Sequence, residues 1–227
     1  MRFSDSEKEQ LNNVLSNAEK ASLNALSSME DFWKVVGTDN KDLIEKILRI
    51  NPFDYGFRGE EIIDEPIPYD AVAIDNSQYA EAGEYAIQPN AYLPIPVFNA
   101  FSKMNQEFTK IYPSRKLLVG SGYRSPAFQI VILIYILVKV YDFDIQKTLK
   151  RVAMPKYSDH SLVSKTPVDI MNIDGEPTDI NPDGFKNSVE YQWLKKYANN
   201  FWFYEAYPPN NPDGIMWEPW HWQYLPK

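Results

Sequence analysis

Nine apolar residues in succession, Ile130 to Val138, lie between Gln129 and Lys139. A membrane-spanning helix needs about 20 such residues, so this run is too short to cross a bilayer and reads as a buried core helix. Pro126 sits where a first-turn proline belongs, and the helix is expected to run to about Tyr141. At 227 residues the chain can bury one sizeable core around it.

The flanking segments come in blocks of helices and strands without strict alternation. Apolar residues from Leu11 to Leu26 recur at loosely helical spacing, which predicts a helix over 4–29, with Ser4 and Glu7 as a capping box. A second helix is expected from Lys41 to Ile50, ended by Asn51-Pro52. Residues 51–96, rich in proline, glycine and acids, read as loops with short strands. Val97, Phe101, Met104 and Phe108 then share one helical face behind Pro96.

Leu117-Leu118-Val119 reads as a buried strand running into Gly120-Ser121-Gly122-Tyr123-Arg124-Ser125. Beyond the central helix, a shorter one is expected over 145–152, a strand over 168–171, an Asp/Gly/Pro loop over 174–184 and a helix over 187–198. Strands over 201–207 and 216–224, separated by a turn region at 208–214, close the chain. This order predicts an α+β fold with a small, largely antiparallel sheet flanked by helices. The expected division is an N-terminal helical extension, 1–50, and a catalytic domain, 51–227.

The formal charge of -8 and the lack of a Lys/Arg-rich stripe argue against nucleic acid as a partner. Zero cysteines remove disulfides, thiolate ligands and a cysteine nucleophile together. No secretory signal is legible in Met1 to Asn40, where Asp5, Glu7, Lys8 and Glu9 occupy the place of an apolar stretch. The expectation is a cell-envelope or secreted protein whose signal lies outside this sequence, or a cytoplasmic one.

Only two histidines are present, His160 and His221. His160 follows Ser158-Asp159 and leads to Val168-Asp169-Ile170; His221 ends Glu218-Pro219-Trp220-His221. A catalytic zinc takes three protein ligands and keeps a fourth position for water. His160, Asp169 and His221 supply three, and Glu218 is a carboxylate placed to take a proton from that water. Its neighbours Trp217 and Trp220 would desolvate it and raise its pKa toward the useful range. With Trp222 and Tyr224 they otherwise read as packing residues of a sheet. The chain reads as a metallohydrolase.

The strings Ser121-Gly122-Tyr123-Arg124-Ser125 with Gln129, Ser158-x-His160 with Asp169-Ile170, Trp193-Leu194 with Ala198-Asn199, Phe203 and Tyr207-Pro208, and Glu218-Pro219-Trp220-His221-Trp222-Gln223-Tyr224 occur in a fixed order. In that order the chain, over roughly 92–224, resembles the zinc D-alanyl-D-alanine carboxypeptidases of peptidoglycan, a family that includes vancomycin-resistance peptidases and phage endolysins. The resemblance implies zinc on His160, Asp169 and His221, with Glu218 as general acid/base. It also implies that Arg124 meets the substrate near the scissile bond, that Ser158 helps hold the terminal carboxylate, and that Gln129 occupies a frequent binding position. The implied partner is a peptidoglycan stem peptide or another peptide ending in D-Ala-D-Ala.

One departure stands out. The family spaces its first histidine and aspartate by six residues with an intervening glycine, whereas eight residues, Ser161 to Val168, separate His160 from Asp169 and none is glycine. The insert is expected to bulge beside the metal and tune substrate choice. Asp159 is the competing carboxylate, disfavoured because adjacent ligands crowd a tetrahedral site. A D,D-dipeptidase or L,D-carboxypeptidase would use the same zinc chemistry, and a non-catalytic cell-wall binding module is the reading from another class. Glu218 counts against that last one, since a pure binder needs no base.

Overall fold

Ser4 and Ser28 start the first two helices by the same device. Each seryl oxygen accepts the backbone N–H three residues on, while the acid at that position, Glu7 or Asp31, reaches back to the seryl N–H. Helices α1 (Asp5–Lys20), α2 (Met29–Val36) and α3 (Thr38–Leu48) follow. The computed structural model describes residues 1–63, 65–75, 90–175, 182–212 and 215–227. The helix expected over 4–29 thus ends at Lys20, and a separate helix begins only at Met29. The first breaks after Lys20 because Ser22 takes a left-handed backbone and Asn24 and Ser27 bond to their own turn.

The chain contacts divide it into two units. The first comprises Met1–Ile67, Arg124–Ser161 and Pro212–Met216. Here α1 packs on α2, α3 and α5 (Pro126–Tyr135), α2 packs on α3 and α5, and α6 (Ile145–Arg151) packs on the 3-10 turn Pro52–Tyr55; Leu11, Phe32, Ile44, Phe128 and Leu133 are fully buried or nearly so. Every residue of α5 from Ala127 to Ile134 is buried, as a helix apolar on all sides requires. It ends earlier than expected, passing at Ile136–Val140 into a π-helical turn that Asp142 and Phe143 close with left-handed conformations. No described helix is long and apolar enough to cross a membrane.

The second unit comprises Pro68–Tyr123, Leu162–Asn211 and Trp217–Lys227. It holds a two-stranded antiparallel ribbon, β1 (Val72–Asp75) with β2 (Asn90–Leu93), and a four-stranded antiparallel sheet. The sheet is built from β3 (Leu118–Ser121), β4 (Pro167–Met171), β5 (Phe203–Glu205) and β6 (His221–Tyr224), in the order β3-β4-β6-β5. Helices α4 (Ile95–Ile111), α7 (Pro182–Lys186) and α8 (Val189–Tyr197) complete it. The expected α4 face is the buried one: Val97, Phe101, Met104 and Phe108 join Phe185, Trp193 and Leu194 in one core. The expected α+β class with an antiparallel sheet is therefore the observed one. Of the expected Asp/Gly/Pro loop, 176–181 lie outside the described residues, as do 213–214 of the last turn region.

Strand alternation decides what the sheet offers. Val168 and Ile170 on β4 and Trp222 and Tyr224 on β6 lie in the core, while Asp169 and His221, one residue out of phase, belong to the opposite face. Gly122 follows β3 at a point where a side chain could not fit, since a Cβ there would stand 2.5 Å from the Tyr92 carbonyl oxygen. That oxygen accepts the Tyr123 N–H at 2.7 Å.

Candidate metal centre

Asp169 and His221 are direct partners in the β4–β6 register. Residues opposite one another on antiparallel strands have side chains on one face, about 5 Å apart at Cβ. Their polar ends converge further, with His221 Nδ1 2.9 Å from Asp169 Oδ1. Glu218 arrives by a different route. Its carbonyl accepts the His221 N–H at 3.1 Å, closing a β-turn with Pro219 as its second residue. The Glu-x-x-His spacing is thus one turn long, and it leaves Glu218 Oε2 3.7 Å from His221 Nδ1. The strand expected from residue 216 starts only at His221 because this turn precedes it.

Further contacts fix the turn. The Glu218 N–H donates to the Tyr207 carbonyl, the Ile170 N–H to that of Trp220, and Trp222 Nε1 to that of Pro219. The Tyr207 ring packs on the His221 imidazole at 4.9 Å. Ahead of the turn, Trp217 donates its indole N–H to Glu205 Oε1, which also accepts from the Tyr191 hydroxyl, while Lys195 pairs with Oε2. Burial first, and then the bond to Glu205, push the Tyr191 hydroxyl well above the ordinary tyrosine range, so it stays a donor. The aromatic residues expected to pack do so: Trp222 and Tyr224 in the core, Trp217 and Trp220 against it.

A fit to zinc can be judged from the donor atoms. Imidazole nitrogen and carboxylate oxygen both suit the ion, and two atoms held at about 2.0–2.1 Å in tetrahedral geometry stand about 3.3 Å apart. The 2.9 Å between Asp169 and His221 is a hydrogen-bond distance that a small outward shift converts to that spacing.

The first unit carries the other residues singled out in the sequence. Asp159, His160 and Ser161 form a single 3-10 turn, in which Ser158 is buried and its carbonyl accepts both the N–H and the hydroxyl of Ser161. His160 is 3% exposed. Its carbonyl accepts the Arg124 N–H at 2.9 Å, so arginine and histidine are joined through the backbone. The Arg124 Nε is buried with no hydrogen-bond partner among the described residues, which leaves a charged donor available to a ligand. Gln129 lies inside α5 and donates its amide to the Ala153 carbonyl.

In the insert after Ser161, the Thr166 hydroxyl bonds to the carbonyls of Leu162 and Val163, and Gln223 donates to that of Lys165. The insert is a closed turn, with Thr166 completely buried. Neither Glu205 nor Tyr207 carries a local sequence signal of its contact with the segment Trp217-Glu218.

A model of the VanY D-alanyl-D-alanine carboxypeptidase family matches residues 90–227, more than half of the chain. The chain belongs to that family. That family, one of D-alanyl-D-alanine carboxypeptidases, is the one that the motifs of the sequence resemble. Several solved structures are similar, among them these three. The LdcB LD-carboxypeptidase is 25% identical at a TM-score of 0.49, over 59% of this chain and 59% of that one. VanYB in complex with D-alanine-D-alanine is 22% identical at 0.48, over 72% and 82%. A mutant of the vancomycin-resistance D,D-pentapeptidase VanY in complex with Zn(II) is 21% identical at 0.49, over 76% and 88%. The chain thus spans less than two thirds of the LdcB structure. No curated protein sequence matches it.

Proposed function

We propose that this protein removes the C-terminal residue of D-Ala-D-Ala-ended peptidoglycan stem peptides, with zinc held by His160, Asp169 and His221. The observation that carries the reading is the convergence of Asp169, His221 and Glu218 from one strand register and one turn. Zinc bound there supplies a Lewis acid and an acidified water.

Glu218, a short reach from His221, takes the proton of the attacking water and returns it to the leaving amine. Arg124 offers its planar fork to the oxyanion that develops on the scissile carbonyl. Ser158 and Gln129 line the place of the terminal carboxylate. No side chain bonds covalently to the substrate, in keeping with a chain that lacks cysteine and has no histidine to spare for activating a serine. The stem peptide as substrate implies work in the cell envelope.

The test is D-alanine release from a D-Ala-D-Ala-ended pentapeptide. Release should stop on chelation and return with added zinc. Release from an L,D tetrapeptide alone would assign the protein to the other bond.

A further inference from the structure

We infer that the N-terminal helical segment, which lies outside the family-matched residues, is a positioning element for Arg124, acting through the turn Asn24–Ser27. The inference rests on the reading of Arg124 given above.

The turn is closed by its own side chains. The Asn24 N–H donates to Ser27 Oγ, the Leu26 N–H to Asn24 Oδ1 and the Ser27 N–H to the Asn24 carbonyl, all at 2.9 Å. With those groups satisfied, two carbonyls face Ser125, which takes both: its N–H donates to Ala25 at 2.8 Å and its hydroxyl to Ser27 at 2.7 Å. Ala25 and Ser125 have no exposed surface. The same hydroxyl oxygen accepts the Phe128 N–H and caps α5, and the Ser125 carbonyl accepts the Gln129 N–H. Every polar group of Ser125 is thereby used.

Arg124 is the residue before it. The backbone is consequently tied on both sides of the Arg124 Cα, by its own N–H to His160 and by the next N–H to Ala25. A charged side chain carried between two such ties starts from a fixed point. Catalytic groups respond steeply to placement, since about 1 Å of error can cost about 100-fold in rate. An arginine meant for a transient oxyanion therefore benefits from an anchor that does not depend on bound substrate.

The experiment opens the turn at a distance. Asn24→Ala with Ser27→Ala removes the two side chains that close it and leaves Ser125 and Arg124 intact. In the zinc-loaded full chain, kcat on a D-Ala-D-Ala-ended tripeptide should fall about tenfold, with KM and zinc content retained. Amide exchange at Arg124 and Ser125 should accelerate while that of β4 does not. Ser27→Thr, which keeps the hydroxyl, should behave as wild type.

In an Arg124→Ala background the same pair should change kcat less than about twofold, because the effect runs through the arginine. Equal losses in both backgrounds, or unchanged exchange at Ser125, would overturn the inference. An Arg124→Ala enzyme as fast as wild type would instead remove the reading of Arg124 itself, and this inference with it. Should the double variant melt below the assay temperature, Ser27→Ala alone, which keeps the Asn24–Leu26 bond, is read in the same cycle.

Discussion

His221 Nδ1 and Asp169 Oδ1 lie 2.9 Å apart on residues that are also direct partners across two antiparallel strands. Backbone pairing, and not side-chain flexibility, therefore sets how far these two donors can separate. A pair held this way is partly organised before any metal arrives, which lowers the ordering cost of binding.

Metal content should follow from that pair. The protein is expected to hold about one zinc, and His221→Ala or His160→Ala should lose most of it, because one of three protein ligands is gone. Asp169→Asn keeps the shape and weakens the donor, so its occupancy should lie between. Elemental analysis of the purified variants checks this; full occupancy in His221→Ala would refute the ligand set.

Glu218→Gln separates base from ligands. The amide occupies the same volume on the same turn but accepts no proton, so zinc should remain while turnover falls by about 100-fold or more. Activity near wild type would mean that another carboxylate serves as the base.

Shortening the insert, by deleting Lys165 and Thr166, tests it as a specificity element. The structure makes the deletion more demanding than spacing alone suggests, because Thr166 is buried and its hydroxyl ties two carbonyls of the insert. Stability should drop by about 1–3 kcal/mol for the groups left unpaired. Zinc should stay, and preference among D-Ala-D-Ala dipeptide, stem tripeptide and pentapeptide should shift. Zinc loss with unchanged relative rates would show that the insert is ligand scaffold.

Arg115 provides a test of the fold away from the chemistry. It pairs with Glu190, whose side chain is fully buried, and with Asp174, whose side chain is 57% exposed. The bond to Glu190 first, and then that to Asp174, raise the guanidinium's pKa further, so it stays charged. Arg115→Ala strands a buried carboxylate and should cost about 3–5 kcal/mol. Asp174→Asn should cost less than about 1 kcal/mol, as exposed pairs do. Denaturant unfolding distinguishes them. Arg115→Met with Glu190→Met should recover most of the loss, and a double variant no better than Arg115→Ala would contradict the assignment.

Much of this was readable from residues alone. The α4 face, the central helix, the antiparallel strands and the histidine motifs all declare themselves through local periodicity or through spacing that one turn or one strand can satisfy. What stayed hidden is made of bonds to backbone carbonyls across long separations. Ser125 and Ser27 are 98 positions apart, and a carbonyl acceptor leaves no side-chain signature. The early end of the expected first helix was hidden for a related reason: Ser22 and Asn24 are tolerable in a helix by composition, and only the left-handed backbone of Ser22 and the local bonds of Asn24 show the chain leaving it.

The alternation along β4 and β6 has a consequence for how this protein can change. Core residues Val168, Ile170, Trp222 and Tyr224 and site residues Asp169 and His221 interleave on the same two strands. A one-residue slip would turn the core outward and the carboxylate and imidazole inward together. Selection on solubility and selection on chemistry thus fall on a single variable, the register. Lineages should accumulate insertions in the segments outside these strands, as between His160 and the start of β4 at Pro167, and almost none within them.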